Sequence, residues 1–234
     1  MVNSMSERCP VGILGFDELC SGGFVRNSVN AIIGGPGTGK TIFLMQFLYN
    51  GVDMFDENGL FVSFEPDITE LYKDSQALGF GLEKLEAEGK ILFTRFSPKT
   101  EVSELKIELT KLISKYKIKR ICLDPVTFLG ANIEDDGKAR LLIFELVSLL
   151  KRLGATVLLA VESDGIDAES GITATSTKEQ YVKFMADGLV NLYSSGLGGV
   201  SDRAIRISKM RRTSHTRGPV PMQITDKGMK IKNR

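Results

Sequence analysis

Eight consecutive residues constrain this chain more than any other feature: Gly34-Gly35-Pro36-Gly37-Thr38-Gly39-Lys40-Thr41. The string matches G-x-x-x-x-G-K-[ST] in full. It also stands in the context that gives the pattern meaning, with a β-rich apolar run (Val29 to Ile33) ahead of it and a helical stretch (Thr41 to Tyr49) behind it. Glycines let the backbone curl until successive N–H groups point inward, and the helix N-terminus adds a fixed positive partial charge. Such a loop cradles phosphate oxygens. Lys40 is placed to reach the β- and γ-phosphates, and the Thr41 hydroxyl to ligate magnesium, an ion that keeps several of its waters. Gly35, Pro36, Gly37, Thr38, Gly39, Lys40, Thr41 and Ile42 are therefore the expected nucleotide-binding stretch, with ATP and magnesium as ligands.

A strand–loop–helix unit implies an α/β fold, and the rest of the chain agrees. Short apolar runs recur at Val29 to Ile33, Leu60 to Phe64, Ile91 to Phe96, Arg120 to Leu123 and Thr156 to Val161. That is the rhythm of a parallel sheet. Between them Leu105, Leu109, Leu112, Ile113 and Tyr116 fall at helical spacing, as do Ala139, Leu142, Ile143, Leu146, Leu149 and Leu150. After about residue 186 the helical pattern stops. Leu189 to Tyr193, Ala204 to Met210, Pro221 to Thr225 and Met229 to Ile231 read as antiparallel strands joined by glycine-bearing turns. The length of 234 residues suits one α/β domain spanning residues 1 to 234. The three cysteines form no C-x-x-C pair, so neither a disulfide framework nor a zinc site is written here and a reducing cytoplasm is expected. No apolar run approaches the ~20 residues that span a bilayer, so no membrane is expected either.

Hydrolysis of a bound triphosphate needs a carboxylate for the metal and a group to orient the attacking water. Arg120-Ile121-Cys122-Leu123-Asp124 is an apolar strand ending in an acid, which puts Asp124 at the carboxyl edge where ligands bind in open α/β sheets. Read alone, an aspartate before Pro125 would ordinarily be a helix-cap or turn residue, and it is the upstream phosphate loop that points Asp124 to the metal. Glu65 ends the Leu60 to Phe64 strand in the same way and is the candidate base, provided that its strand neighbours that of Asp124. The alternative is a solvated glutamate opening the turn at Pro66-Asp67. Asp67 reads as the cap of a helix through Ile68, Leu71 and Tyr72.

With these residues in place the chain resembles the KaiC-like branch of the RecA superfamily, almost from end to end. The resemblance is carried by Gly12-Ile13-Leu14-Gly15-Phe16-Asp17-Glu18-Leu19 with Gly22-Gly23, and by Gln46-Phe47-Leu48-Tyr49-Asn50-Gly51 after the loop. Phe61 to Glu65, Asp124-Pro125-Val126-Thr127, Phe184-Met185-Ala186-Asp187-Gly188 and Lys209-Met210-Arg211-Arg212-Thr213-Ser214-His215 complete it. It implies a RecA-like core, a mostly parallel sheet flanked by helices, in a homohexameric ring that binds ATP between neighbouring subunits. It also implies that Lys209, Arg211, Thr213 and His215 reach the nucleotide of the adjacent subunit. Alternation in an extended strand would put those four on one side, in line with Ile205 and Ile207. Cations there suit charge on a transferring phosphoryl group. Pro66 stands where the family commonly has a second glutamate, and Arg212 where it has a glycine. Lys183 and Phe184 occupy the places of the clock proteins' phosphorylated pair, so autophosphorylation is not expected.

Net charge is close to zero, with 30 basic and 29 acidic residues, so only local charge speaks to nucleic acid. From Arg203 to Arg234 the chain is strongly basic, with Asp226 the single acid. Yet the loops that would face a ring's channel, Gly130 to Gly137 and Asp164 to Lys178, are acidic and would repel a phosphate backbone. Nucleic acid is thus disfavoured, and any contact belongs on the outer surface. Gly196, Gly198 and Gly199 lack a following Lys-Thr and read as a hairpin turn. The leading expectation is a slow or regulated ring ATPase. A DNA-binding recombinase paralogue and a nucleotide-gated scaffold without turnover are the alternatives.

Overall fold

The computed structural model describes residues 7–64, 68–129, 133, 135–163, 177–196 and 202–232. A short hairpin of β1 (Arg8–Cys9) and β2 (Phe24–Val25) flanks α1 (Phe16–Leu19) and precedes the main sheet. The chain then alternates: β3 (Val29–Gly34), α2 (Lys40–Phe55), β4 (Gly59–Ser63), α3 (Thr69–Ala77), α4 (Leu82–Ala87) and β5 (Ile91–Arg95). It continues with α5 (Val102–Tyr116), β6 (Arg120–Asp124), a single 3-10 turn at Val126–Phe128, α6 (Asp136–Arg152), β7 (Thr156–Glu162) and α7 (Thr177–Met185). Four strands close it: β8 (Gly188–Ser194), β9 (Arg203–Met210), β10 (Val220–Thr225) and β11 (Gly228–Ile231).

Nine strands form one sheet in the order β11-β10-β9-β8-β3-β7-β6-β4-β5. The six from β8 to β5 run parallel, and β9, β10 and β11 add antiparallel pairs at the other edge. This is the α/β architecture expected from the sequence, parallel in its body and antiparallel at its C-terminal end. Its central strands β3, β4 and β6 are buried at every position, as strands covered on both faces must be. One face packs α2 through Phe43, Leu44, Phe47 and Leu48, with Ile32, Phe61, Cys122, Leu158 and Ala160 beneath them. The other face packs α5, α6 and α7 through Leu105, Leu109, Ile143, Leu146 and Val182, over Ile33, Val62, Leu123 and Val161.

The helix after the loop runs to Phe55, six residues beyond the expected Tyr49, and passes through Gly51. Glycine is tolerated there because Arg120 lies across it: a Cβ would stand 2.5 Å from the Arg120 Cδ. Helix α3 has Ile68 at its N-cap position with no side-chain cap bond. The proposed cap Asp67 lies outside the described residues.

Candidate phosphate-binding site

The loop from Gly34 to Lys40 leaves the carboxyl end of β3 and enters α2 with Gly39 as its N-cap, at φ +102°. No L side chain is comfortable in that conformation, and a Cβ at Gly39 would stand 2.9 Å from Ile224 Cδ1. The antiparallel extension thus floors the loop. Gln46 fixes that floor: its Nε2 donates to the Met229 carbonyl (3.3 Å) and its Oε1 accepts from the Met229 N–H (2.7 Å). Within the loop Thr38 Oγ1 donates to the Gly35 carbonyl at 2.8 Å. Lys40 folds back over it, Nζ donating to the carbonyls of Gly34 (2.9 Å) and Gly35 (3.0 Å). Burial pushes the Lys40 ammonium below its usual range, and the charges of Glu162 and Asp124 oppose that shift without cancelling it.

Strand register brings the acids to the loop. β6 pairs with β4, Ser63 opposite Asp124, and β7 pairs with β3, Gly34 opposite Glu162. Alternation puts Ser63, Asp124 and Glu162 on the α2 face, in line with Phe61, Cys122 and Ala160 of the first core. The result is a direct contact across 83 residues of chain: Thr41 Oγ1 donates to Asp124 Oδ2 at 2.7 Å. A hydroxyl and a carboxylate side by side are hard oxygen donors of the kind magnesium takes. The neighbouring of β4 and β6, on which the reading of Glu65 depends, is present. Glu65 itself, with Pro66 and Asp67, lies outside the described residues. So do most of the two candidate channel loops, Gly130 to Ala131 and Asn132, Glu134 and residues 164–176.

Two groups escaped the sequence reading. Glu162 closes a third apolar strand, the same signal that pointed to Asp124. Arg203, counted among the basic C-terminal residues, donates from Nη1 to the Gly37 carbonyl at 2.7 Å. Nothing local in the sequence pairs positions 166 residues apart.

The Lys209 to His215 segment sits at the opposite rim. β8 lies parallel to β3 with Gly188 beside Asn30, and β9 returns antiparallel with Met210 opposite Gly188. Residues beyond Met210 therefore leave the sheet at the amino end of β3. About five residues of strand, at ~3.3 Å each, separate them from the phosphate loop of the same chain. Their common-side alignment with Ile205 and Ile207 does not hold. The register shifts between Leu189 and Val190, so Ile207 faces Val190 in the first core while Lys209 faces Leu189 on the other side. Met210 takes up the inward place. The strand then stops, and Arg212 turns the chain at φ +57°. Lys209 Nζ donates to the Phe184 carbonyl at 3.1 Å, and burial together with the Arg211 charge holds its ammonium below the usual range despite Asp187.

The family model described as "ATPase: KaiC" matches residues 9–234. The chain belongs to the KaiC ATPase family. It is 35% identical over 228 residues to the circadian clock oscillator protein KaiC of Synechococcus elongatus, and 34% identical over 234 residues to that of a Nostoc species. Those matches cover 94% and 96% of this chain but 43% and 44% of the relatives, so the chain spans less than half the length of the curated relatives it matches. A KaiC-like protein of the hyperthermophilic archaeon Pyrococcus horikoshii OT3 superposes with a TM-score of 0.82 at 29% identity, covering 97% of this chain and 99% of that one. Several KaiC-family residues quoted above are structural here. Asp17 accepts from the N–H groups of Val11 (2.8 Å) and Gly12 (2.9 Å), and Asn50 Nδ2 donates to the Val11 carbonyl at 3.2 Å. Asp187 accepts from Lys151 Nζ (2.9 Å) and the Val29 N–H (3.1 Å). Arg212 is a left-handed residue, a conformation in which glycine is favoured. Among the described residues no helix is long and apolar enough to cross a membrane.

Proposed function

We propose that this protein is a magnesium-dependent ATPase, a single domain that works as a hexameric ring in the cytoplasm with ATP held between neighbouring copies. The observation that carries the reading is the Thr41–Asp124 contact at the mouth of the loop. Lys40 would leave the Gly34 and Gly35 carbonyls for the β- and γ-phosphates, and the loop N–H groups and the α2 N-terminus would take the rest of the charge. Thr41 and Asp124 would hold magnesium, which when bound neutralises phosphate oxygens. Glu65 would orient a water and accept its proton as the water oxygen bonds to the γ-phosphorus and the bond to the bridging oxygen breaks, releasing ADP.

Ring action is supported by the position of Lys209, Arg211, Thr213 and His215. Separated from their own phosphate loop by the length of β3, they lie too far to serve their own nucleotide, which favours one held by another copy. Nucleic-acid binding is the weaker reading, because three cations of the basic segment already have partners in their own chain: Arg203 at Gly37, Lys209 at Phe184, and Arg211 with Nε 4.0 Å from Asp187.

The test is phosphate release and light scattering on the same sample, with and without ATP and magnesium. Wild type should release phosphate and scatter as a ring. Lys40→Ala and Asp124→Asn should abolish release, and Glu65→Gln should cut it by ~10²-fold or more, the scale of a lost general base. Wild-type release by Lys40→Ala and Glu65→Gln would refute the site. Tight ATP binding and assembly with no turnover would favour the scaffold reading instead.

A further inference from the structure

Among the described residues the segment beyond β9 pairs with no strand, yet its own chain holds it closely. Arg8, more than two hundred residues upstream on the β1–β2 hairpin, reaches it with its guanidinium, and Asp187 lies 4.0 Å from Arg211 Nε at the segment's start. Arg8 Nη1 donates to Thr213 Oγ1 at 2.6 Å and Nη2 donates to the Arg212 carbonyl at 3.1 Å. Thr213 Oγ1 in turn donates to the Arg211 carbonyl at 3.1 Å, so its hydroxyl is committed on both sides. Neutral bonds continue the attachment: Ser21 Oγ to the Ser214 carbonyl (3.0 Å) and the Thr216 N–H to the Leu19 carbonyl (2.8 Å).

We infer that Arg8 is a positioning residue for the reaction at the subunit interface, presetting the Arg211 to His215 arm in the pose that meets the neighbouring copy's nucleotide. The inference rests on the ring reading above. Three observations carry it. The turn at Arg212 uses a left-handed conformation that an arginine adopts reluctantly, so the arm needs an outside hold to keep it. A guanidinium is a rigid planar fork, and this one spans that turn, gripping a backbone carbonyl and the next side chain at once. Its base is firm: Arg8 pairs with Val25, and the adjoining Cys9 and Phe24 are fully buried in the first core. Arg8 lies at the rim away from its own phosphate loop, so its influence on turnover should fall on the neighbour's site and not on its own.

Mixing of variants reads that distinction. Arg8→Ala subunits keep an intact phosphate loop, and Lys40→Ala subunits keep an intact arm. Arg8→Ala alone should lose ~10-fold or more in phosphate release, the scale of a lost hydrogen bond to a charged group, while its melting stays close to wild type. In rings reassembled from a one-to-one mixture, half of the intact loops would face an intact arm. Release should then rise about fivefold above the mean of the two separate samples, following from that ~10-fold loss. Arg8→Lys, which keeps the charge and loses the planar two-point grip, should show the same loss and the same complementation, and it carries the test if Arg8→Ala does not fold. Wild-type turnover by both variants, or a mixture no better than the mean, overturns the inference while leaving the ATPase reading intact. An Arg8→Ala protein that folds but forms no ring overturns it in favour of an assembly role. A single-copy mass for wild type with ATP and magnesium overturns this inference and the ring reading together.

Discussion

Removing Glu57 should destabilise this protein far more than a surface acid would, because it neutralises a cation that has no access to water. The Arg120 side chain is 0% exposed and Glu57 is 11% exposed. Arg120 Nε lies 2.7 Å from Glu57 Oε2, Nη1 donates to the Phe47 carbonyl at 3.0 Å, and the guanidinium carbon stands 4.6 Å over the Phe47 ring. Arg26, partly exposed, adds a second charge on Glu57 Oε1. Glu57→Ala leaves the buried guanidinium without its counter-charge, which costs about 3–5 kcal/mol in comparable sites. For a chain of this size that corresponds to roughly 6–20 °C in Tm. Replacing both partners by apolar groups, Glu57→Leu with Arg120→Met, removes the stranded charge and should recover most of the loss. Urea melts followed by circular dichroism measure all three. Glu57→Ala within ~1 kcal/mol of wild type, or a double variant no better than the worse single one, would refute this account. The effect should also reach the site, since Arg120 opens the strand that Asp124 closes and ties it to α2. ATP affinity should weaken in Glu57→Ala under conditions where the protein is still folded. The pH dependence has a definite sign. Burial pushes the Glu57 carboxyl up, but the Arg120 charge and the bonds from Arg26 and Arg120 outweigh it, leaving the group below its ordinary 4.5. A depressed carboxyl contributes stability that is full above pH 4.5 and lost as pH falls through the lower folded value, so acid melts should converge for wild type and Glu57→Ala below that point.

Further outcomes follow from the loop and its floor. Gly39→Ala forces a left-handed residue and a 2.9 Å approach to Ile224, so ATP binding followed by calorimetry should be lost while the circular dichroism spectrum persists. Gln46→Ala leaves the buried Met229 N–H without its acceptor and should cost about 1–3 kcal/mol in a urea melt. Burial lowers the Lys40 ammonium from 10.5, and the charged form is the one that binds triphosphate. ATP affinity measured as pH rises should therefore begin to fall below pH 10.5, and Lys40→Ala should remove that dependence.

The sequence made the sheet legible because its signals are local. Nine apolar runs matched the nine strands within about a residue at each end, since buried strands need uninterrupted apolar residues and the turns between them need glycine. Asp124 was legible for the same reason, as an acid ending such a run. Glu162 carries the same signal at the end of β7. The helix boundary at Phe55 was not legible, because Gly51 reads as a breaker until Arg120 is seen lying across it.

Pattern along the chain thus decided the strand–loop–helix unit, the parallel body of the sheet and the residue types available for a triphosphate. Only tertiary structure decided which of them meet. A one-residue shift between β8 and β9 reversed the side taken by Lys209, because side-chain direction in a strand alternates with every residue and a local pattern cannot register an extra one. Arg8 on Thr213, Arg203 on Gly37 and Glu57 on Arg120 join positions far apart in the chain. Such pairs are set by how the sheet orders its strands, a property of the closed fold that no short stretch of residues contains.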